Sequence, residues 1–470
     1  MRNWLFLLLL ILTAFVLSCK KEGFILSANA SLSITKDSIK FDTVFTSTGS
    51  VTQSFKIINT NNQKLLLSSI KLMGGSSSAF KININGVSAS ELNDIEIASN
   101  DSIYVFISVY VNPNNSTLPF LINDSIQIEY NNNKRYVQLE AYGQNAHFLN
   151  NTIIERDTTF INDLPYVVLG SLSVKNNVIL TLNEGCRLFM HANAPILVDG
   201  TFIVNGTKNN EVIFCGDRLD EYYKDLPASW PGIFFNPSSK NNVLTYAILK
   251  NATDAIVADS NSINSNPKLV LHQCKIDNSL HSGILAKQSS VDVDNTLISN
   301  CGKNINIKLG GEYHFNNCTV VAYSNFYILH NYPVLQVNNY AYPNGVLTTG
   351  DTYADFKNCI FWGDGGGFDE EINLSRVGNN PYNVSFRNCL IKSNINNSDA
   401  QFINNIRNID PSFDSVDTYN NYYLFTTHQF ASPVIDAGLD TTNTIFPFDL
   451  NHNNRISGLK TDIGCYEKQN

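Results

Sequence analysis

Gln273-Cys274-Lys275-Ile276, Asn295-Thr296-Leu297-Ile298, Asn317-Cys318-Thr319-Val320, Asn358-Cys359-Ile360-Phe361 and Asn388-Cys389-Leu390-Ile391 are five copies of one pattern. Each is a side-chain amide, then Cys or Thr, then a β-forming apolar pair or near-pair. An apolar residue stands just upstream: Leu271, Val293, Phe315, Phe356 and Phe386. The Cys/Thr position recurs at steps of 22, 22, 41 and 30 residues. A repeat of about 20–30 residues built from strand-type units marks a solenoid, where each unit buries its apolar face only by stacking on the next. The units are β-branched and too short for helix pairs, so a parallel β-helix is expected. Four Cys at one repeat position are expected to form an inward column of buried thiols rather than a disulfide framework.

The composition around this repeat is that of a polar-surfaced β protein. The chain has 470 residues, 43% hydrophobic and 16% charged, with enough apolar content for a packed core. A net charge of −9 argues against a nucleic-acid partner, which selects for a basic stripe. Nine cysteines are few for this length; pairing among Cys186, Cys215, Cys301 and Cys465 stays open. No zinc spacing, nucleophile elbow or phosphate loop is present. Calcium has two partial candidates. Asp449-Leu450-Asn451-His452-Asn453 begins like an EF-hand loop, but Asn454 replaces the Gly and Lys460 the final Glu. Asp364, Asp369, Glu370 and Glu371 lie on a Gly-rich run. Neither is a complete ligand set, and no cofactor or metal is expected.

Residues 1–19 read as a targeting segment. Arg2 is the positive start, Trp4 to Val16 is apolar, and the run ends Val16-Leu17-Ser18-Cys19-Lys20-Lys21. This resembles a bacterial lipobox, which implies cleavage before Cys19, lipidation of its thiol and a firm membrane anchor. A lipid-anchored protein of a Gram-negative cell envelope is expected, in the outer membrane, monomeric and otherwise soluble, with 20–30 as a short tether. Residues 31–146 carry near-alternating runs separated by turn clusters such as Asn112-Pro113-Asn114-Asn115, which predicts a β-sandwich. Ser54-Phe55-Lys56-Ile57-Ile58-Asn59 and Val137-Gln138-Leu139-Glu140-Ala141-Tyr142-Gly143 resemble immunoglobulin-like domains of the ASPM/SPD-2/Hydin type, which implies a spacer or adhesion module.

The β-helix is expected over 150–430. Val178–Cys186, Ile196–Thr207, Glu211–Phe214 and Trp230–Phe235 are short strands, several ended by Gly. Their succession resembles the opening coils of right-handed parallel β-helix proteins of the pectate-lyase-like superfamily. Within 431–470, Ala431-Ser432-Pro433-Val434-Ile435-Asp436-Ala437-Gly438 and Thr461-Asp462-Ile463-Gly464-Cys465-Tyr466-Glu467 resemble the C-terminal segment of bacterial β-helix proteins of the choice-of-anchor Q type. This segment is expected to cap the last open edge, which would otherwise pair with another chain.

Aligning the coils on the Cys/Thr position predicts two outward columns. Two places upstream stand Thr245, His272, Asp294, Asn316, Lys357 and Arg387; four places upstream stand Val270, Asp292, His314, Asp355 and Ser385. Asp292 and Asp294 share a strand face about 6.5–7 Å apart. Inverting glycosidases space their carboxylates by about 6.5–9.5 Å. With His272 and His314 flanking them, these are the candidate catalytic residues. The same columns also describe a charge-alternating solvent face, whose unlike charges stabilise stacking.

Another sheet, expected from 255–259, 283–287, 304–308 and 326–330, presents Lys287 and Lys308 to an acidic sugar and Tyr327 for stacking. In pectate-lyase-like proteins the active cleft usually lies over this first sheet. It has no carboxylate cluster for calcium and no Arg for the base, which weakens the lyase reading. The oversized coils insert about 332–353 and 362–371, adding Tyr340, Tyr342 and Trp362 as candidate sugar platforms. Two functions remain. The leading expectation is a non-catalytic carbohydrate- or surface-binding rod held off the membrane. The alternative is a polysaccharide-degrading hydrolase or lyase, since this fold hosts both.

Overall fold

The computed structural model describes residues 23–46, 49–221, 223–367, 369–395, 398–427, 432–439 and 447–469. The lipobox with Cys19 lies outside them. The chain divides into two compact units after Asn145, and among the described residues both are all-β, with only two 3-10 turns.

In the first unit, alternating apolar residues give two five-stranded sheets. One is ordered Leu32–Ile34, Gln53–Asn59, Ser102–Val109, Phe80–Ile84, Val87–Ser88; the other Ser38–Phe45, Asn133–Gln144, Phe120–Tyr130, Leu65–Leu72, Glu91–Ile97. One core joins their inner faces, with Phe55, Val105 and Ile107 against Leu67, Ile128 and Leu139. This is an immunoglobulin-like β-sandwich. Ser38–Phe45 runs parallel to Asn133–Gln144. Phe80–Ile84 alternates apolar and polar residues and buries Phe80, Ile82 and Ile84.

The second unit is a parallel β-helix of three sheets, each strand pairing in parallel with its counterpart one coil on. Sheet I stacks Ile196–Val198, Ile233–Phe235, Asp254–Asp259, 282–287, 303–308, Leu335–Asn338 and Ile372–Ser375. Sheet II stacks Thr201–Asn205, Asn242–Thr245, Leu269–His272, 289–294, 311–316, Thr352–Lys357, Tyr382–Arg387 and Ala400–Ile403. Sheet III stacks Val212–Gly216, Ala247–Lys250, Lys275–Asp277, Leu297–Ser299, Thr319–Tyr323, Ile360–Asp364, Leu390–Ile391 and Ile406–Arg407.

The repeat that defines the sequence is the corner between sheets II and III. Gln273, Asn295, Asn317, Asn358 and Asn388 have φ of 56°, 46°, 50°, 50° and 49°. This left-handed conformation suits Asn better than other residues with a Cβ. The next residue then points inward. Cys274, Cys318, Cys359 and Cys389 are fully buried. Each thiol donates to the carbonyl two residues back: His272, Asn316, Lys357 and Arg387, at 3.3, 3.3, 3.1 and 3.4 Å. Thr296 makes the same bond to Asp294 with its hydroxyl, at 2.9 Å. A small side chain with a donor is what this position selects. The eight described cysteines, Cys186, Cys215, Cys301 and Cys465 among them, are free thiols. The upstream phenylalanines stack as Phe315, Phe356, Phe386 and Phe402, with ring centroids 5.3, 4.8 and 5.0 Å apart. At the end of the stack, the Arg407 guanidinium lies 4.3 Å from the Phe402 ring centre.

Three expectations are corrected. The sheet I strand after 303–308 is Leu335–Asn338, not 326–330. The Asn325 side chain accepts the N–H groups of Tyr327 and Ile328, both at 2.8 Å. This local turn competes with strand pairing. His330 then buries against Glu371, at 2.9 Å. The first large insertion is therefore the excursion between Asn338 and Thr352, which carries the hairpin Tyr340–Ala341 with Thr348–Thr349.

The tail is the second correction. Its described residues do not cover the last coil; they run along the side of the β-helix. Val434, Leu450, Ile463 and Cys465 of the tail, with Phe413 and Phe425 of the segment before it, pack on Leu297, Val321, Ile360, Trp362 and Leu390 of sheet III. The corner amides hold it: Gln273 and Asn295 donate to Phe448 O, Asn317 to Asp462 O, Asn358 to Leu439 O and Asn388 to Ala437 O. An outward apolar face on sheet III explains this course, because it must be covered along its whole length.

The third correction follows. Trp362 belongs to that covered face and is 8% exposed, so it packs the tail instead of offering a sugar platform. The partial calcium candidates are likewise engaged in the protein. Asp449 accepts backbone N–H groups from Asn453 and Glu467 (2.7 and 2.8 Å), and Asp364 and Asp369 lie 3.7 and 3.8 Å from Lys392 Nζ.

Candidate functional site

The outer face of sheet II is where chemistry-bearing side chains meet. Parallel pairing places Thr245, His272, Asp294, Asn316, Lys357 and Arg387 in one column, and Val270, Asp292, His314, Asp355 and Ser385 in the next. A third column, not read from the sequence, is Ser290, Glu312, Tyr353 and Asn383. Its signal was present: it lies two places further upstream, and Gly310-Gly311 breaks the pattern just before Glu312.

The two aspartates have different surroundings. Asp294 is committed to its column: His272 Nδ1 lies 3.3 Å away and Asn316 Nδ2 donates at 3.0 Å. Asp292 instead opens into a cleft of about 560 Å³ with Glu312, His314, Asp351 and Tyr353. Burial raises its carboxyl above the ordinary value, and Asp294 and Glu312 push the same way against His314 and His272. His314 Nε2 lies 3.4 Å from Glu312 Oε1. The facing wall is the loop from Asn261 to Pro267. Asn264 and Asn266 both donate to Asn241 Oδ1 at 3.0 Å, and Asn264 Oδ1 accepts from Ser262 and from Asn266 N. The wall is thus pinned to the corner of the coil behind it.

His314 and Tyr353 also line a second cleft of about 580 Å³, together with Asp355, Arg376, Ser385, Arg387 and Asp399. Burial favours the neutral form of Asp355, but hydrogen bonds from Lys357 and Ser385, with Arg387 nearby, outweigh it and hold the carboxyl below its usual value. The two clefts therefore form one groove along the stacking axis, from the 289–294 strand to Ala400–Ile403. Four steps of about 4.8 Å make it about 19 Å long. Tyr353 is 44% exposed at the junction.

The other candidates lie elsewhere. Lys287 and Lys308 align with Asp259 along sheet I, where the central outward residues Val257, Asn306 and Gln336 are buried. Burial and repulsion from Lys303 and Lys287 lower the Lys308 ammonium. Tyr327 sits in the Asn325 turn, off the sheet. Tyr340 and Tyr342 meet edge to face at 5.9 Å in their hairpin; the Tyr340 hydroxyl accepts from Ser375 at 3.3 Å, while Tyr342 is 61% exposed. Neither tyrosine lines the groove.

No family model matches the sequence, and no curated protein matches it. Among solved structures, the chain is similar to pectate lyase Pel9A: 12% identity over 69% of this chain and 88% of that one, TM-score 0.32. It is similar to the catalytic unit of a GH87 alpha-1,3-glucanase from Streptomyces thermodiastaticus: 12% identity, 79% and 91% coverage, TM-score 0.25. A shorter stretch is similar to an ASH/PapD-like domain of human CEP192: 13% identity, 27% of this chain and 92% of that one, TM-score 0.18.

Proposed function

We propose that the protein holds a polysaccharide segment in the sheet II groove. The continuity of the two polar clefts across an exposed Tyr353 carries this reading. Amides, hydroxyls and carboxylates suit the hydroxyls of a glycan, and a tyrosine face suits the C–H face of a pyranose. The groove follows the stacking axis, as a linear polymer requires. Cys19 anchors the chain to the envelope membrane through lipid, the immunoglobulin-like unit is a spacer, and the 431–470 segment is the choice-of-anchor Q type element in a structural role.

A second reading has one observation in its favour. The raised carboxyl of Asp292, beside Asp294, suits a general acid of glycoside hydrolysis. Against it, Asp294 is already held by His272 and Asn316. Binding without turnover is therefore the primary function.

A glycan array followed by calorimetry tests this. Hits should weaken about tenfold or more in Tyr353→Ala, the loss expected for a stacked ring worth about 1.5 kcal/mol, with an unchanged melting temperature. Binding untouched by Tyr353→Ala removes the groove as the site, and release of new reducing ends by the wild type replaces binding by hydrolysis.

A further inference from the structure

Side-chain amides clamp the start of the immunoglobulin-like unit. Of the 20–30 stretch read as a tether, the part from Phe24 onward is bonded to the sandwich. Phe24 bridges Lys64 in parallel, and Ile25 N donates to Lys64 O at 2.8 Å. Asn131 Nδ2 donates to Ile25 O and Ser27 O, both at 2.9 Å, and Asn133 Nδ2 to Ala28 O at 2.8 Å. Asn61 completes the clamp: its Oδ1 accepts Ser31 N at 2.9 Å, and its Nδ2 donates to Ser31 O at 2.7 Å. Ile25 packs against the core. Its neighbours in extended chain therefore face the other way: Phe24 is 36% exposed and Leu26 84%.

This end of the sandwich is the one away from the chain's exit. The strand Asn133–Gln144 starts beside the clamped segment and runs 12 residues, about 37 Å, before the chain passes into the second unit. The end is also close to neutral. Its loops 60–63, 98–101 and 131–133 carry one charge, Asp101, and Lys64 and Lys134 lie 3.8 and 2.8 Å from Glu96 and Glu129. Charges further than a Debye length are screened, so the net charge of −9 on the whole chain does not keep this end from an anionic lipid surface. Only Lys20 to Gly23 stand between Cys19 and Phe24. Five steps of at most about 3.6 Å keep Phe24 within about 18 Å of Cys19. Apolar side chains fixed that close to an acyl anchor leave water by entering the boundary between headgroups and acyl chains.

We propose that Phe24 and Leu26 enter the bilayer interface beside lipidated Cys19, so that the sandwich stands on the membrane by its Asn131 end instead of swinging on a loose linker. The inference rests on the anchoring of Cys19 proposed above and adds a second, side-chain contact with lipid. The test uses the full lipidated chain in vesicles of phosphatidylethanolamine and phosphatidylglycerol, floated on a density gradient. Leu26→Cys carries an environment-sensitive fluorophore. Leu118→Cys, 73% exposed in the loop before Phe120 at the opposite end, carries the same dye, and the wild type treated identically supplies the background. In the floated fraction, emission from position 26 should shift to shorter wavelength and be quenched by lipid brominated in its acyl chains; position 118 should show neither. Both substitutions fall on exposed side chains, and an unchanged melting temperature confirms the fold. A floated protein whose position 26 reads as water keeps the anchor and overturns the contact. Equal quenching at both positions overturns the upright stance. Failure to float removes the anchor itself, and the proposal falls with it.

Discussion

The side chain of Asn358 forms two hydrogen bonds with the backbone of Leu439, 81 residues away in the chain. Oδ1 accepts Leu439 N at 2.8 Å, and Nδ2 donates to Leu439 O at 3.0 Å. The Asn358 backbone carbonyl accepts Gly464 N at 2.8 Å. One residue therefore turns the β-helix at its corner, with φ of 50°, and clasps two segments of the tail.

Asn358→Gly separates these roles, because glycine keeps the left-handed turn without strain. It should lower stability by about 1–3 kcal/mol through the two lost hydrogen bonds. Asn358→Ala should cost about 1–2 kcal/mol more for left-handed backbone. Urea midpoints measure both. Equal midpoints for Gly and wild type would mean the amide does not hold the tail.

The thiol column should be inert. Burial pushes Cys274 up to about 12 and Cys359 well above its usual value, so neither forms thiolate near neutral pH. Neither should react with an alkylating reagent until denaturant is added. Cys359→Ser should be mild, because its hydroxyl can repeat the Thr296 bond. Cys359→Ala should cost about 1–2 kcal/mol by leaving a small void and losing the thiol's hydrogen bond. Rapid labelling of the native protein would contradict the inward column.

Lys268 supplies a pH signature. Its side chain is fully buried, donating to Asn236 O and Pro237 O at 2.9 and 3.1 Å. Burial brings its pKa down to about 8 from 10.5. Between those values the unfolded chain binds more protons than the folded one, so this group adds stability as pH rises from about 8 to 10.5. Lys268→Met removes that contribution. The melting-temperature difference between wild type and Lys268→Met should shift in favour of wild type across this window. A difference flat with pH would mean Lys268 titrates normally.

Asp292 decides the status of hydrolysis. Its raised carboxyl extends the protonated form to higher pH than an ordinary aspartate allows. Any glycosidase activity should fall as pH rises through that displaced value, and Asp292→Asn should abolish it while glycan binding persists. Turnover surviving in Asp292→Asn would remove it from the acid role.

Much of this molecule was legible in the chain because a β-helix obeys a local, repeating rule. Every coil needs a left-handed corner, which selects Asn, then a small inward donor, which selects Cys or Thr. In-register stacking carries that pattern from one coil to the next. The amide–Cys repeat therefore announces the fold, and counting back from the Cys places Asp292 above Val270 and beneath His314. The immunoglobulin-like unit was legible through the period of its strands, apart from Ser38–Phe45, which pairs with residues some 100 positions away.

What lies outside the repeat depended on tertiary contacts. Asn325 captures the backbone of 326–330 and pushes the sheet I strand to Leu335–Asn338. The tail follows the apolar face of sheet III, burying Trp362, because that face must be shielded from water. Asp294 is tied to His272 and Asn316, while Asp292 faces a groove walled by the Asn261–Pro267 loop. The sequence by itself determined which residues stack and which face outward, since a periodic ladder needs only neighbours. Only the tertiary structure decided which outward face is covered and which is open, since burial depends on segments distant in the chain whose packing no local period encodes.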